Sequence, residues 1–222
     1  MRRREAGEGR DGAARAGPRG GRALRDGSRP PRVLALGVGL AAAAAVALLV
    51  VPVPDPLFDD PTSSVLLASD GSLLGARIAA DGQWRFPAER PVPERFAAAI
   101  VTYEDRRFRR HPGVDPLALA RAVWLNTRRG EVVSGGSTLT MQVARMARGN
   151  RPRTYRQKLV EMLWSVRLEM GRSKDEVLAL YAAHAPFGGN VGGLEAAACR
   201  YFGRGPEDRS CAESAMLAVL PN

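Results

Sequence analysis

The sequence predicts a mainly α-helical domain that follows a small β-hairpin region and one transmembrane helix. Three observations carry that expectation. From residue 94 onward, apolar residues recur at spacings of three and four, the period of a helix with one buried face. Between residues 63 and 87, short apolar runs are punctuated by Asp70-Gly71 and Asp81-Gly82, dipeptides that favour tight hairpin turns. Val33 to Val51 is a run of nineteen residues without a charged or polar side chain, long enough as a helix to cross a bilayer core.

Taken in order, the chain begins with a basic tail. Residues 1–32 hold ten arginines against Glu5, Glu8, Asp11 and Asp26, so most of the net charge of +10 lies there. A segment so rich in Gly and Arg and so poor in aromatics cannot bury enough surface to fold, and it is expected to be disordered. Such a tail could touch nucleic acid or anionic lipid. Because an apolar run follows at once, it reads as the cytoplasmic flank of a membrane anchor, with no nucleic-acid partner. Arginines on the N-terminal side of the 33–51 run place the tail in the cytoplasm and everything after it outside the inner membrane. Small residues at Ala45 and Ala47 resemble a signal-peptide cleavage site, but the run continues through Leu48–Val51, which favours an uncleaved anchor.

Residues 52–62, with four prolines and three aspartates between Pro52 and Pro61, read as a stiff linker. A meander of two or three strands ending at Trp84 is expected next. Helices are then expected over 94–104, 115–127, 137–148, 153–170, 173–184, 193–201 and 211–219. Asp115-Pro116 and Ser173 with Glu176 are helix-start signatures. Composition fits this plan, since 45% hydrophobic content supplies a core for one domain over residues 63–222. Cys199 and Cys211 could pair in an oxidising compartment or remain as two buried thiols, and neither they nor His111 and His184 show metal-ligand spacing.

Four stretches carry candidate chemistry. In the first, EDRRFRRHPGVD (104–115), Glu104 continues the row of Phe96 and Ile100 at a spacing of four. A half-buried carboxylate is a better proton acceptor, provided nearby cations keep it ionised, and Arg106, Arg107, Arg109 and Arg110 are available. A salt-bridged helix end would show the same residues. In the second, SGGSTLTMQVAR (134–145), Ser137 is a good N-cap after two glycines. Thr138, Gln142 and Arg145 share a polar, cationic face suited to an anionic group such as a diphosphate, although a capped helix with a solvated face reads the same way. In the third, RPRTYRQKLVEML (151–163), Lys158 and Glu161 share a face opposite Leu159, Met162, Leu163 and Val166. This is a surface pair, or, with Arg153 and Arg156, a phosphate cradle in which the glutamate meets a metal or a leaving group. The fourth, YAAHAPFGGNVGGLEAAACRYFGR (181–204), implies tight glycine geometry between two helices, with His184 as a packing residue.

In this order the four stretches resemble the motifs of the peptidoglycan glycosyltransferases, glycosyltransferase family 51, the domain at the front of class A penicillin-binding proteins. The similarity covers roughly residues 63–222. DGQWRFP, TMQVAR, APFGGN and MLAVLP are similar to the penicillin-binding protein 1C branch. The resemblance implies a mainly helical, lysozyme-like fold and polymerisation of lipid II into β-1,4 glycan with release of undecaprenyl diphosphate. It implies that Glu104 takes the proton of the acceptor 4-hydroxyl and that Glu161 assists the diphosphate, directly or through Mg²⁺ or Mn²⁺, with no organic cofactor. Ser137, Gln142, Arg145, Arg153 and Lys158 fall on positions that contact donor phosphates and sugar. Leu117, Leu119, Val123 and Trp124 match a hydrophobic jaw that admits lipid, or simply pack in the core. Implied partners are lipid II, the growing glycan strand, the inner membrane and cell-wall synthesis proteins.

Departures from the pattern are Arg145 for a common Lys, Gln157 for a frequent Arg, and Tyr181-Ala182-Ala183 for Tyr-Leu-Asn. The chain also stops at Leu220-Pro221-Asn222, within a stretch resembling the fifth motif, so a truncated domain without a transpeptidase is expected. A lysozyme-like glycan hydrolase and an inactive, membrane-anchored lipid II-binding remnant are the competing readings. A hydrolase needs an acid and a water but no diphosphate cradle.

Overall fold

The computed structural model describes Leu36, Gly37, Gly39, Ala43, Val46, Leu48 and residues 50–70, 72–87, 91–205 and 210–221. The chain divides after Leu40. The basic tail and most of the apolar run therefore lie outside the described residues, and the seven described positions from Leu36 to Val50 are helical. Among the described residues no helix is long and apolar enough to cross a membrane.

The second unit is mainly helical, as the periodicity predicts. Helix α1 (Glu94–Glu104) buries Phe96 and Ile100 and ends at the half-buried Glu104. Each of those apolar side chains contributes roughly 1.5–3 kcal/mol on burial. A short 3₁₀ turn (Phe108–Arg110) inserts Phe108 into the core. Helix α2 (Pro116–Arg129) starts where Asp115 accepts the amides of Leu117 and Ala118, with Pro116 in the first turn, and stops at Gly130 in the left-handed conformation. The expectation for the next helix needs correction: α3 (Leu139–Ala147) is capped by Thr138, whose side chain accepts from the Met141 amide, and not by Ser137. Helix α4 (Tyr155–Gly171) is capped by Thr154, and α5 (Lys174–His184) by a full Ser173/Glu176 box. Helices α6 (Leu194–Phe202) and α7 (Cys211–Val219) complete the domain.

The core is one cluster that joins α1, α3, α5, α6 and α7 through residues such as Phe96, Leu139, Val177, Tyr181, Ala197 and Leu217. Helix α3 packs on both α4 and α5, and α1 packs along α7.

Strands β1 (Ser64–Leu67) and β2 (Leu73–Arg77) form the expected hairpin, with Ser64 opposite Arg77 and Leu66 opposite Gly75. Asp70 closes its turn by accepting from the Ser72 amide and hydroxyl. The third strand of the expected meander pairs elsewhere. β3 (Trp84–Arg85) runs parallel to β4 (Val191–Gly192), more than a hundred residues away. Residues 52–62 also do more than connect. Leu57 is 4% exposed within the core cluster, Val53 and Phe58 pack against it, and Asp55 bridges to Arg172 at 3.0 Å.

Candidate active site

The junction between α1 and α3 is built around the buried Asp105. Its carboxylate meets Nε2 of the buried His111 at 3.0 and 3.1 Å and accepts the Leu139 amide, the first of α3, at 3.1 Å. One side chain thus clamps the end of α1 onto the start of α3. Thr138 adds a second tie by donating to the Gly113 carbonyl at 2.5 Å. Gln142 is consequently held one turn into α3, where its amide donates to Glu104 Oε2 at 2.7 Å.

Two glycines make this closeness possible. Gly113, at φ +87°, lies so near α4 that a Cβ there would sit 2.4 Å from the Ser165 carbonyl oxygen. Gly136 lets the loop before α3 lie on α2, where a Cβ would come within 3.0 Å of Leu119 Cα. Asn126 fixes the same loop by accepting the amides of Val133 and Ser134 and donating to the Ser134 carbonyl.

Glu104 opens onto a cavity of about 420 Å³ lined by Arg106, Arg107, Arg121, Asp115 and Ser137. The expected cationic shell is thus only partly drawn from the arginine run. Arg107 faces the cavity while bridging Asp115 at 3.5 Å, and Arg106 donates to the Thr102 carbonyl. Arg109 turns away to Asp175 at 2.8 Å, and Arg110 is exposed and does not line the cavity. Burial works against the charge of Asp115. The Ala118 and Leu117 amides and Arg107 nevertheless hold its carboxyl below the usual carboxylate range.

On the cavity wall, Ser137 accepts a hydrogen bond from Lys158 Nζ, which lies 4.0 Å from Glu161 Oε2. Glu161 is buried. Desolvation pushes the Lys158 ammonium below its ordinary value; Glu161 opposes that shift, and Arg145 and Arg153 reinforce it. Of the residues singled out in the sequence, the structure therefore gathers Glu104 with Gln142, and Ser137 with Lys158, Glu161, Arg145 and Arg153. Ser137 shares the cavity wall with Glu104. Thr138, expected on the polar face, is instead a buried cap.

Asp105 and His111 were not among the candidate residues, although both stand in the first motif. The signal that could have found them is an acid and a histidine six apart in a chain containing only two histidines. The other histidine, His184, packs as expected: it stacks on Phe58 at 3.6 Å and meets Asp60 at 3.0 Å. Cys199 and Cys211 form no disulfide.

Leu117, Val123 and Trp124 on α2 are about 60% exposed, and only Ala122 of that helix is buried. Core packing is thereby excluded for those three, whereas Leu119 is half-buried beneath Gly136. Among the described residues no three His, Cys, Asp or Glu side chains converge as a metal centre.

Comparison with known proteins places this geometry in context. A family model described as Transglycosylase matches residues 72–222. Penicillin-binding protein 1C of Escherichia coli is 45% identical over 167 residues, covering 75% of this chain and 22% of that protein. Penicillin-binding protein 1A of Aquifex aeolicus is 40% identical and that of Pseudomonas aeruginosa 39%, each over 130 residues, covering 59% of this chain. The chain spans about a fifth of the length of these relatives. The matched region encloses the Glu104 cavity, the Asp105 clamp and the helices bearing Gln142 and Lys158, and the chain belongs to the transglycosylase family.

Proposed function

We propose that this domain polymerises lipid II into β-1,4-linked glycan at the outer face of the cytoplasmic membrane. The observation that carries the proposal is a half-buried glutamate, oriented by Gln142, that shares a cavity with Ser137, the serine that accepts a hydrogen bond from Lys158. The acceptor 4-hydroxyl oxygen attacks C1 of the donor sugar, and the C1–O bond to the diphosphate breaks on the opposite side. The hydroxyl proton passes to the Glu104 carboxylate, and undecaprenyl diphosphate leaves with the bonding electrons.

Charge grows on the diphosphate as it departs, so pre-placed cations stabilise the transition state more than the ground state. Lys158, Arg145 and Arg153 supply those cations, and Ser137 holds the lysine in place. Glu161 is the residue that would hold a divalent ion, together with phosphate oxygens of the substrate, and the ion would add further charge neutralisation there. One protein carboxylate matches the way Mg²⁺ is usually bound beside phosphates.

Two features support a membrane location. An apolar run precedes the domain with arginines on its N-terminal side, which favours a cytoplasmic N-terminus. The exposed Leu117, Val123 and Trp124 along α2 give lipid a surface to meet, beside an open groove of about 880 Å³. Assembly with other cell-wall synthesis proteins belongs to the same proposal.

The test is incubation of the full chain in detergent with labelled lipid II and Mg²⁺ or Mn²⁺, with products resolved by size. Glycan polymer is the expected product. Soluble fragments released from intact peptidoglycan would instead mark a hydrolase, and retained lipid II binding without turnover would mark an inactive remnant.

A further inference from the structure

One junction beneath the site has no role in the scheme above. Lys174, the first residue of α5, donates from Nζ to the His111 carbonyl at 2.6 Å and to the Glu169 carboxylate at 2.7 Å, and lies 4.5 Å from the centre of the Phe108 ring. An ammonium has three donors, and here two oxygens and an aromatic face surround it. Glu169, whose side chain is 6% exposed, also accepts from the hydroxyl of the buried Thr140. Local helix formation does not explain these two charges. Lys174 stands at the N-terminal end of α5 and Glu169 in the last turn of α4, so each faces the dipole end of its own sign.

What the pair joins is more informative. It ties together the loop bearing His111, the first turn of α3, the end of α4 and the start of α5. Two of these ties end on the Asp105 clamp. Lys174 fixes the His111 backbone while the His111 ring meets the Asp105 carboxylate, and Thr140 directly follows Leu139, whose amide the same carboxylate accepts. Asp105 adjoins Glu104, and Gln142 on α3 orients that glutamate. The third tie runs to Glu169, which lies on the helix that also carries Lys158 and Glu161. The base and the cations are thus aligned through one ammonium that touches neither.

We propose that Lys174 is a positioning residue for polymerisation: with Glu169 it sets where α4 sits against the Asp105 clamp, and so fixes the separation of Glu104 from Lys158 and Glu161. This rests on Glu104 and Lys158 acting as in the reaction proposed above. The attacking oxygen and the departing diphosphate lie on opposite sides of C1, so proton acceptor and cations must act at the same moment across that separation. A misplacement of about 1 Å can cost about a hundredfold in rate. Substrate binding is spread over many contacts and is less sensitive to it.

The experiment compares the full chain in detergent with two variants. Lys174→Met keeps the stem but leaves Glu169 as an unpaired buried charge, which can unfold a protein. Lys174→Met combined with Glu169→Gln leaves no buried charge and keeps an acceptor for Thr140, so it is the variant that decides. Two quantities are measured: kcat and KM for lipid II polymerisation per folded chain, and hydrogen exchange of the Leu139 amide that Asp105 holds. The double variant is expected to lower kcat by about tenfold to a hundredfold, with KM within about twofold. Leu139 should exchange about tenfold faster or more, while amides of α6 and α7 keep their protection. Unchanged kcat, a loss explained wholly by the unfolded fraction, or unchanged Leu139 exchange would overturn the positioning role. Failure of the reaction beneath it would look different: Glu104→Gln would match the unaltered chain in converting lipid II, and Leu139 exchange would still show whether Lys174 sets the clamp.

Discussion

In the proposed reaction Lys158 must stay charged to hold a departing phosphate, yet it stands where burial and two guanidinium groups work against that charge. Burial lowers its proton affinity, Glu161 restores part of it, and Arg145 and Arg153 lower it again. A cation held in this way gains more from an arriving anion than one already satisfied by solvent. Its charged form is present at low pH and is lost as pH rises through a value below the ordinary 10.5. KM for lipid II should therefore rise on the alkaline side earlier than an unperturbed lysine would allow. Lys158→Arg keeps the charge to much higher pH while replacing a compact ammonium with a planar fork. It should remove that alkaline limb, and measuring KM against pH for both chains checks this; coincident limbs would assign the titration to another group.

The site is an assembly of helix ends, and the contacts that align them are more exacting than the helices themselves. Gly113 shows the tightest constraint, because a Cβ would meet the Ser165 carbonyl at 2.4 Å and the backbone is left-handed there. Gly113→Ala should cost about 3 kcal/mol or more, combining strain with displacement of α4. Denaturant unfolding measures this, and a loss below about 1 kcal/mol would show that α4 yields freely.

The helices were legible from apolar spacing and cap residues, as Ser173/Glu176 and Asp115-Pro116 show, because those signals are local. The alignment of their ends was not. Thr138 and Ser137 are also held by residues 20 or more positions away in sequence, Thr138 by the Gly113 carbonyl and Ser137 by Lys158, so the choice of cap for α3 is not a local matter. The arginine run gave charge without direction, and only the fold decides that Arg107 meets the cavity while Arg109 leaves it for Asp175. Asp105, beside the glutamate that drew attention, clamps two helices by accepting an amide from Leu139, a contact no spacing rule reveals.

At the scale of the whole domain, the segment that follows the apolar run is held as a strap. Leu57 enters the core, Asp55 meets Arg172, and Phe58 and Asp60 hold His184. Its prolines and aspartates suggest no more than a stiff linker because composition does not record where a single leucine is buried. The parallel pairing of β3 with β4 was hidden for the same reason, since a hairpin signal reports only its neighbours. Leu57→Ala should lower unfolding stability by about 2–5 kcal/mol, as large-to-small core changes do. A melting temperature equal to that of the unaltered chain would show that the strap is not part of the folded unit.

The chemistry proposed for the molecule depends on one proton acceptor, and Glu104→Gln removes it while keeping the side chain's size. Rates of glycan polymer formation from lipid II, measured beside lipid II binding, test this most directly. The substitution is expected to cut the rate by about 10² to 10⁴ while binding persists, the range typical of general-base catalysis. Polymer formed at the unaltered rate by the Glu104→Gln chain would contradict it.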